Sequence, residues 1–363
     1  MVFAPSSRAT NMADARTSSV RIAVIGCGYW GPNHVRVFEE LLGPGMVVAC
    51  EPDDAQRDRF ARRFPYVPIH ASAAEVLARS DVRAVVIATP AVTHFALVGM
   101  ALDAGKHVLC EKPFTQTVAE AEALEARAAA GGLVLMVGHV FLFNAGLQYV
   151  RRVCMDGMLG TLRYAIATRT NLGPVRTDVD VAADLASHDI AVLNWIAGSL
   201  PVTVSAVGAS YVVSGHADAA FVTLSYPGGF TAAVQASWLH PEKVRRLTIV
   251  GSERMLMWDD LNLESPVTVY DKHVEAHAQV ATYGEFLRVS THSGEVRRPF
   301  VPSHEPLKAQ ALAFLEGIKS GEAVASDVRS GVGVMRVLAA IDRSIAVNGQ
   351  PIMVDSADER LDQ

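Results

Sequence analysis

Residues 21–31 read RIAVIGCGYWG: a short apolar run, then Gly26, Gly28 and Gly31 in the spacing GxGxxG. Few features restrict a fold as tightly. A run this short suits a buried strand better than a helix. Gly26 permits a tight turn, Gly28 lets the backbone approach a pyrophosphate, and Gly31 lets the next helix pack close to the strand. That helix then offers unpaired N–H groups to the anion. The spacing alone would also fit three turn glycines with no ligand. What gives it weight is its place, after a strand and before the helical HVRVFEELLG. Tyr29 and Trp30, held between the glycines, are counted with the cofactor-binding residues.

The apolar runs RIAVIG, MVVACE, VPIH, RAVVIAT, HVLC and LVLMVG alternate with helical patterns up to about His139. Strands alternating with helices imply βαβ units and a parallel sheet. Residues 20–140 are therefore expected to form an α/β, doubly wound dinucleotide-binding domain. The texture then changes. A helix through GLQYVRRVCMDG, a strand LRYAIATRTN and a helix DLASHDIAVLNWIAG precede β-rich runs joined by turns such as PGG and GSE. Residues 141–363 are expected to form an α+β domain on a mostly antiparallel sheet, a meander closed by two helices. Residues 1–19 have no apolar stretch long enough for a signal peptide and are expected to be a disordered leader.

Composition removes several function classes. The net charge of -6 gives no general attraction to nucleic acid or to anionic membranes. The most apolar run, Leu133 to Phe143, is far shorter than the roughly 20 residues of a membrane span. Cys27, Cys50, Cys110 and Cys154 form no CxxC pair and read as buried thiols in a reducing compartment. A cytoplasmic protein with a small-molecule ligand, and neither a nucleic-acid nor a membrane partner, is expected.

The second strand ends at Glu51, near the offset at which an acid binds ribose hydroxyls and repels a 2′-phosphate, so NAD is expected over NADP. Asp53 competes for that role, and Arg57 and Arg59 are the residues that would argue for the phosphate. Strand ends are where ligands bind in such sheets. Thr89 and Pro90 in ATPAVTH are placed to line the dinucleotide path, with His94 counted beside them; Thr93 as a helix cap is the plainer reading of that turn. At the end of the fifth strand, CEKP sets Lys112 before a proline that restricts its backbone. Glu111 is counted with the cofactor residues, or else only supports the turn. Asp184 and His188, four apart, would share a helix face, where the carboxylate could orient the imidazole. Oxidising an alcohol needs a base for the hydroxyl proton and a cation for the developing alkoxide, roles open to His188 and Lys112. Without HExxH or a clear third ligand, no metal is expected. The segment RTNLGPVRTDVD brings Arg169, Asn171, Arg176, Asp178 and Asp180. It reads either as a substrate-gripping loop over the cleft or as a solvated connector.

GCGYWG, CEKP and DLASHD together resemble the glucose–fructose oxidoreductase/inositol dehydrogenase (Gfo/Idh/MocA) family, over nearly the whole chain from about Val20. The resemblance implies a Rossmann domain followed by an α+β domain with a large open sheet. The exposed face of that sheet would make a homodimer or homotetramer. It also implies that Lys112 lies near the nicotinamide, often with a cis Lys-Pro peptide. The family's Asp-x-x-x-His maps onto Asp184 and His188, the histidine as acid/base. The glycines common around that pattern are replaced here by Ala183 and Ser187. GYWGPN and NLGPVRTDV look most like members acting on nucleotide sugars, for example at C3 of a UDP-N-acetylhexosamine or uronate. Other members take inositols, free sugars or sugar phosphates. A non-catalytic NAD- or sugar-binding regulator on the same fold is the rival reading; an intact Lys112, Asp184 and His188 argues against it.

Overall fold

A computed structural model describes residues 20–177, 179–212, 214–277, 288–322 and 324–355. The expected leader 1–19 and Asp178 lie outside the described residues.

The first half forms six strands, β1 (Arg21–Ile25), β2 (Val47–Cys50), β3 (Ile69–His70), β4 (Val82–Ile87), β5 (His107–Cys110) and β6 (Leu135–Val137), in the order β3-β2-β1-β4-β5-β6. All neighbours are parallel. Helices cover both faces, so the strands read as unbroken apolar runs instead of alternating. The connecting helices are α1 (Gly31–Leu42), α2 (Asp54–Arg63), α3 (Ala73–Ala78), α4 (His94–Asp103) and α5 (Val118–Gly131). Their starts are set by the residue types that satisfy free N–H groups. Asp53 caps α2, Ser72 caps α3, and Thr117 with Glu120 closes a capping box on α5. Thr93, the cap expected for α4, makes no such bond; its hydroxyl instead meets the Pro90 carbonyl.

After α6 (Ala145–Met155) come β7 (Leu162–Leu172), a π-helical turn (Ala182–Ala186) and α7 (Ser187–Ala197). The strands β8 (Thr203–Ala209), β9 (Ala219–Ser225), β10 (Thr231–Ser237), β11 (Leu239–Gly251), β12 (Met255–Asp259), β13 (Val267–His277) and β14 (Arg288–Arg297) follow. Helices α8 (Pro306–Ser320) and α9 (Val328–Ala346) and the short β15 (Ile352–Met353) close the chain. With β7 these strands build a nine-stranded sheet, β14-β13-β12-β11-β7-β10-β9-β8-β15. It is antiparallel except where β10 pairs parallel to β7, so it is not a plain meander. β9 and β10 alternate buried and exposed residues, as a sheet with one covered face should. Helices α6, α7 and α9 lie on that face. Tyr164, Ile166, Val207 and Phe221 are exposed.

The last helices return to the first sheet. α9 packs on α5 and β6, and Val137 N–H donates to Ser326 O (2.9 Å) at the sheet edge. α8 packs on α1, with Arg36 paired to Glu305 and Lys308 to Glu40 (3.2 Å). A single apolar core runs through both halves. No helix among the described residues is long and apolar enough to cross a membrane.

Candidate active site

The glycine turn shows three different constraints. Gly26 has φ +94°, and a Cβ there would stand 2.6 Å from Ala88 O. A Cβ on Gly31 would stand 1.9 Å from Gly26 O. A Cβ on Gly28 would meet nothing within 4 Å, because Gly28 faces a cleft. Gly31 itself packs beneath the turn and does not line that cleft. Trp30 precedes α1 without a side-chain cap; Asn33 and His34 N–H donate back to Trp30 O (2.9 and 3.1 Å) and Pro32 has no N–H, so Gly31 N–H is the donor that this helix start leaves for a ligand among the described residues. The cleft holds about 870 Å³ and runs from this turn past Glu51, Thr89 and Pro90 to Lys112, Asp184 and His188. Tyr29 and Glu111 also line it.

Glu51 is 6% exposed and aimed. Its Oε2 accepts from Cys27 N–H (2.8 Å) and its Oε1 from Asp53 N–H (3.1 Å). Asp53, the other acid in this turn, is engaged as the cap of α2. Arg57 donates to the carbonyls of Glu51 (2.9 Å) and Pro52 (3.0 Å) and pairs with Asp54, while Arg59 is exposed. A backbone open at Gly28, an uncapped helix start and a buried, oriented acid at the end of β2 fit an adenine dinucleotide.

At the far end, Lys112 Nζ donates to Asp184 O (2.8 Å) and to Asp184 Oδ1 (2.9 Å). The Lys112-Pro113 peptide is cis. Glu111 has a partner that its sequence neighbourhood does not show: Nε2 of His34, fully buried on α1, lies 2.8 Å from Glu111 Oε1. Lys112 N–H lies 3.3 Å from Glu111 Oε2, and a Cβ on Gly138 would come within 2.8 Å of that oxygen. The carboxylate is thus held by α1 and by the end of β6. His94 does not line the cleft, contrary to expectation. Its ring nitrogens face Pro113 O (2.8 Å) and Thr89 O (2.9 Å), so it ties the ends of β4 and β5 together.

Asp184 and His188 do not pair with each other. The π-turn widens the helix at Asp184, and residues four apart no longer stack. Arg176 joins Lys112 on the Asp184 carboxylate (3.1 Å). Burial works against ionisation of Asp184, but Lys112, Arg176 and a hydrogen bond from Trp238 hold its carboxyl below the usual range. His188 is 9% exposed, with Phe141 packed 4.9 Å from its ring. Burial first, then the charges of Lys112 and Arg169, push its pKa well down, so the imidazole is neutral.

Arg169 and Asn171 lie on β7, not on a loop over the cleft, and neither lines it. Arg169 is 3% exposed and grips Asp189 through Nε (2.7 Å) and Nη2 (2.9 Å), with its guanidinium 4.1 Å from the Phe141 ring centre. It braces the start of α7 beside His188. Asn171 donates to Gly173 O within its own turn. Of that polar segment, Arg176 reaches the cleft lining.

A Rossmann half ending in a fixed lysine, faced across a cleft by a carboxylate and a neutral imidazole, defines a nicotinamide-dinucleotide oxidoreductase. Residues 20–139 match the oxidoreductase family model with NAD-binding Rossmann fold, GFO_IDH_MocA, and residues 147–257 match the GFO/IDH/MocA C-terminal domain. The chain is 34% identical over 247 residues to UDP-N-acetylglucosamine 3-dehydrogenase of Acidithiobacillus ferrooxidans, covering 67% of this chain and 75% of that one. It is 30% identical over 243 residues to D-apiose dehydrogenase of Paraburkholderia graminis, covering 63% of this chain and 64% of the relative. Against inositol 2-dehydrogenase of Burkholderia multivorans it is 33% identical over 185 residues, half of this chain and 55% of the relative. The solved structure of UDP-N-acetylglucosamine 3-dehydrogenase GnnA from A. ferrooxidans superposes with TM-score 0.75 at 28% identity, over 90% of this chain and 98% of that one. The protein belongs to the Gfo/Idh/MocA oxidoreductase family.

Proposed function

We propose that the protein is an NAD-dependent dehydrogenase acting on a secondary hydroxyl of a nucleotide sugar, at C3 of a UDP-N-acetylhexosamine or the related uronate. The observation that carries the chemistry is the Lys112–Asp184 pair beside the neutral His188 at one end of the cleft. Bound nicotinamide would accept hydride from the carbinol carbon, which leaves the oxygen with a proton to lose. His188, neutral at working pH, takes that proton. Lys112, fixed by Asp184, donates to the oxygen as negative charge builds on it. Asp184 holds the Lys112 ammonium in place through its carbonyl and its carboxylate. Glu51, with Arg57 turned onto backbone carbonyls, supports NAD over NADP.

The substrate class rests on the 34% identity to UDP-N-acetylglucosamine 3-dehydrogenase together with the GYWGPN and NLGPVRTDV segments. Inositol and D-apiose are the alternatives that the other relatives suggest. The exposed Tyr164, Ile166, Val207 and Phe221 support a homodimer or homotetramer through the sheet. Four unpaired thiols suit the cytoplasm.

A screen of NAD and NADP reduction over UDP- and TDP-sugars, free sugars, sugar phosphates and inositols tests the substrate. Lys112→Ala tests the role of the lysine. Its turnover should fall by about 10²–10³, while the NAD dissociation constant changes little. Equal losses in both would remove the catalytic assignment.

A further inference from the structure

An imidazole that accepts a proton at one nitrogen must already carry hydrogen on the other, and the partner of that second nitrogen sets the tautomer. His188 lines the cleft, and Nδ1 is its buried nitrogen, without a hydrogen-bond partner among the described residues. Asp184 does not serve it, because that carboxylate is engaged by Lys112 and Arg176. His139 stands nearby. It immediately precedes the short turn Val140–Phe143, whose Phe141 packs on the His188 ring. His139 is 3% exposed and both its ring nitrogens lack partners among the described residues. A charge on it would act directly against a charge on His188. Burial, then Lys112, push its own pKa down to about 4, so it too is neutral.

Buried ring nitrogens without partners are costly, because they have given up their bonds to water and gained none in return. Folded proteins satisfy such atoms with protein groups or with ordered water. Resting on the reading of His188 as the proton acceptor, we propose that His139 is a positioning residue for His188, the two rings sharing one internal water. That water accepts from His188 Nδ1–H and donates to a ring nitrogen of His139. The arrangement satisfies two of the three unpartnered nitrogens. It also fixes the tautomer of His188 whose Nε2 is free to take a proton from the cleft. Phe141, packed on the His188 ring, limits its rotation.

The test uses NAD-loaded protein carrying ¹⁵N-histidine, with the His188 signals identified by their loss in His188→Gln. Wild type should show His188 as the Nδ1–H tautomer. His139→Phe should shift it toward Nε2–H, and His139→Gln, which keeps an acceptor, should hold the wild-type form. With NAD and UDP-N-acetylglucosamine, His139→Phe should lower kcat about tenfold or more, within the range of acid–base catalysis, at an unchanged NAD dissociation constant, and His139→Gln should recover most of it. An unchanged His188 tautomer or an unchanged kcat in His139→Phe overturns the proposal. If His139→Phe does not fold, a crystal structure of the wild type decides. A water within about 3.2 Å of both rings is required, and its absence refutes the idea. Wild-type turnover in His188→Gln would overturn the proton-acceptor reading itself. An inactive His188→Gln beside a fully active His139→Phe would sink the inference about His139 alone.

Discussion

Replacing Gly28 with alanine separates two demands that the glycine turn meets together. At Gly31 the added methyl would stand 1.9 Å from Gly26 O, a backbone atom that no side-chain rotation can move. At Gly28 the methyl would meet nothing within 4 Å, and φ there is not positive. Alanine is therefore tolerated by the free protein. By restricting the unfolded chain it adds about 0.4–1 kcal/mol of stability. The same methyl projects into the cleft where a pyrophosphate would approach the backbone. Overpacking of that kind costs about 1–3 kcal/mol, and 1.4 kcal/mol is tenfold in affinity. Gly28→Ala should thus be as stable as wild type or slightly more so, yet bind NAD about ten- to a hundredfold more weakly. Urea unfolding measures the first quantity. Quenching of Trp30, which lines the cleft, measures the second, and the smaller stabilisation by saturating NAD checks it independently. Gly31→Ala serves as the contrast, destabilised by about 1–3 kcal/mol or more. If Gly28→Ala binds NAD like wild type, the backbone approach at Gly28 is wrong, whatever else the cleft does.

Glu51→Ala should raise NADP use relative to NAD, because a carboxylate that repels a 2′-phosphate is gone; an unchanged cofactor ratio in initial rates would refute that role. Arg169→Met should cost about 3–5 kcal/mol by leaving Asp189 buried and unpaired, with NAD affinity little changed in the surviving folded fraction; a large, selective loss of NAD binding would return Arg169 to the cleft. His139 is held neutral by burial and its pKa falls from an ordinary 6.5 to about 4. The unfolded chain therefore binds the extra proton first, and stability is lost as pH drops from about 6.5 toward 4, by up to about 1.4 kcal/mol per pH unit from this group. His139→Gln should lose less stability between pH 6.5 and 5 in urea titrations, and an identical slope would contradict the assignment.

The parallel sheet was legible because its strands are buried on both faces and are punctuated by capping residues and glycine. Each of RIAVIG, MVVACE, RAVVIAT and HVLC carries its signal within itself. The second sheet was legible only where one face is covered. β9 and β10 alternate cleanly, but β14, RVSTHSGEVR, is exposed along most of its length and has no apolar period to read. The parallel pairing of β10 with β7 is a long-range choice. The two closing helices, α8 and α9, likewise read as helices without revealing that one packs on α1 and the other on α5.

The site shows the same division more sharply. Lys112 and Glu51 were readable because strand order and strand ends dictate where their side chains emerge. Partnerships were not. Asp184 and His188 stand four apart, and local helix logic pairs them. That logic assumes 3.6 residues per turn, and the π-turn removes it. Once the widened turn swings Asp184 toward the end of β5, its carboxylate meets Lys112, a residue 72 positions away. Glu111 finds His34 at a separation of 77. In both cases a buried or half-buried charge has to be matched, and the fold supplies the match from another element, because neighbours in sequence point elsewhere. The lysine's rigidity thus comes from two sources: the proline beside it, visible in the sequence, and the carboxylate across the cleft, which exists only after the two halves have packed.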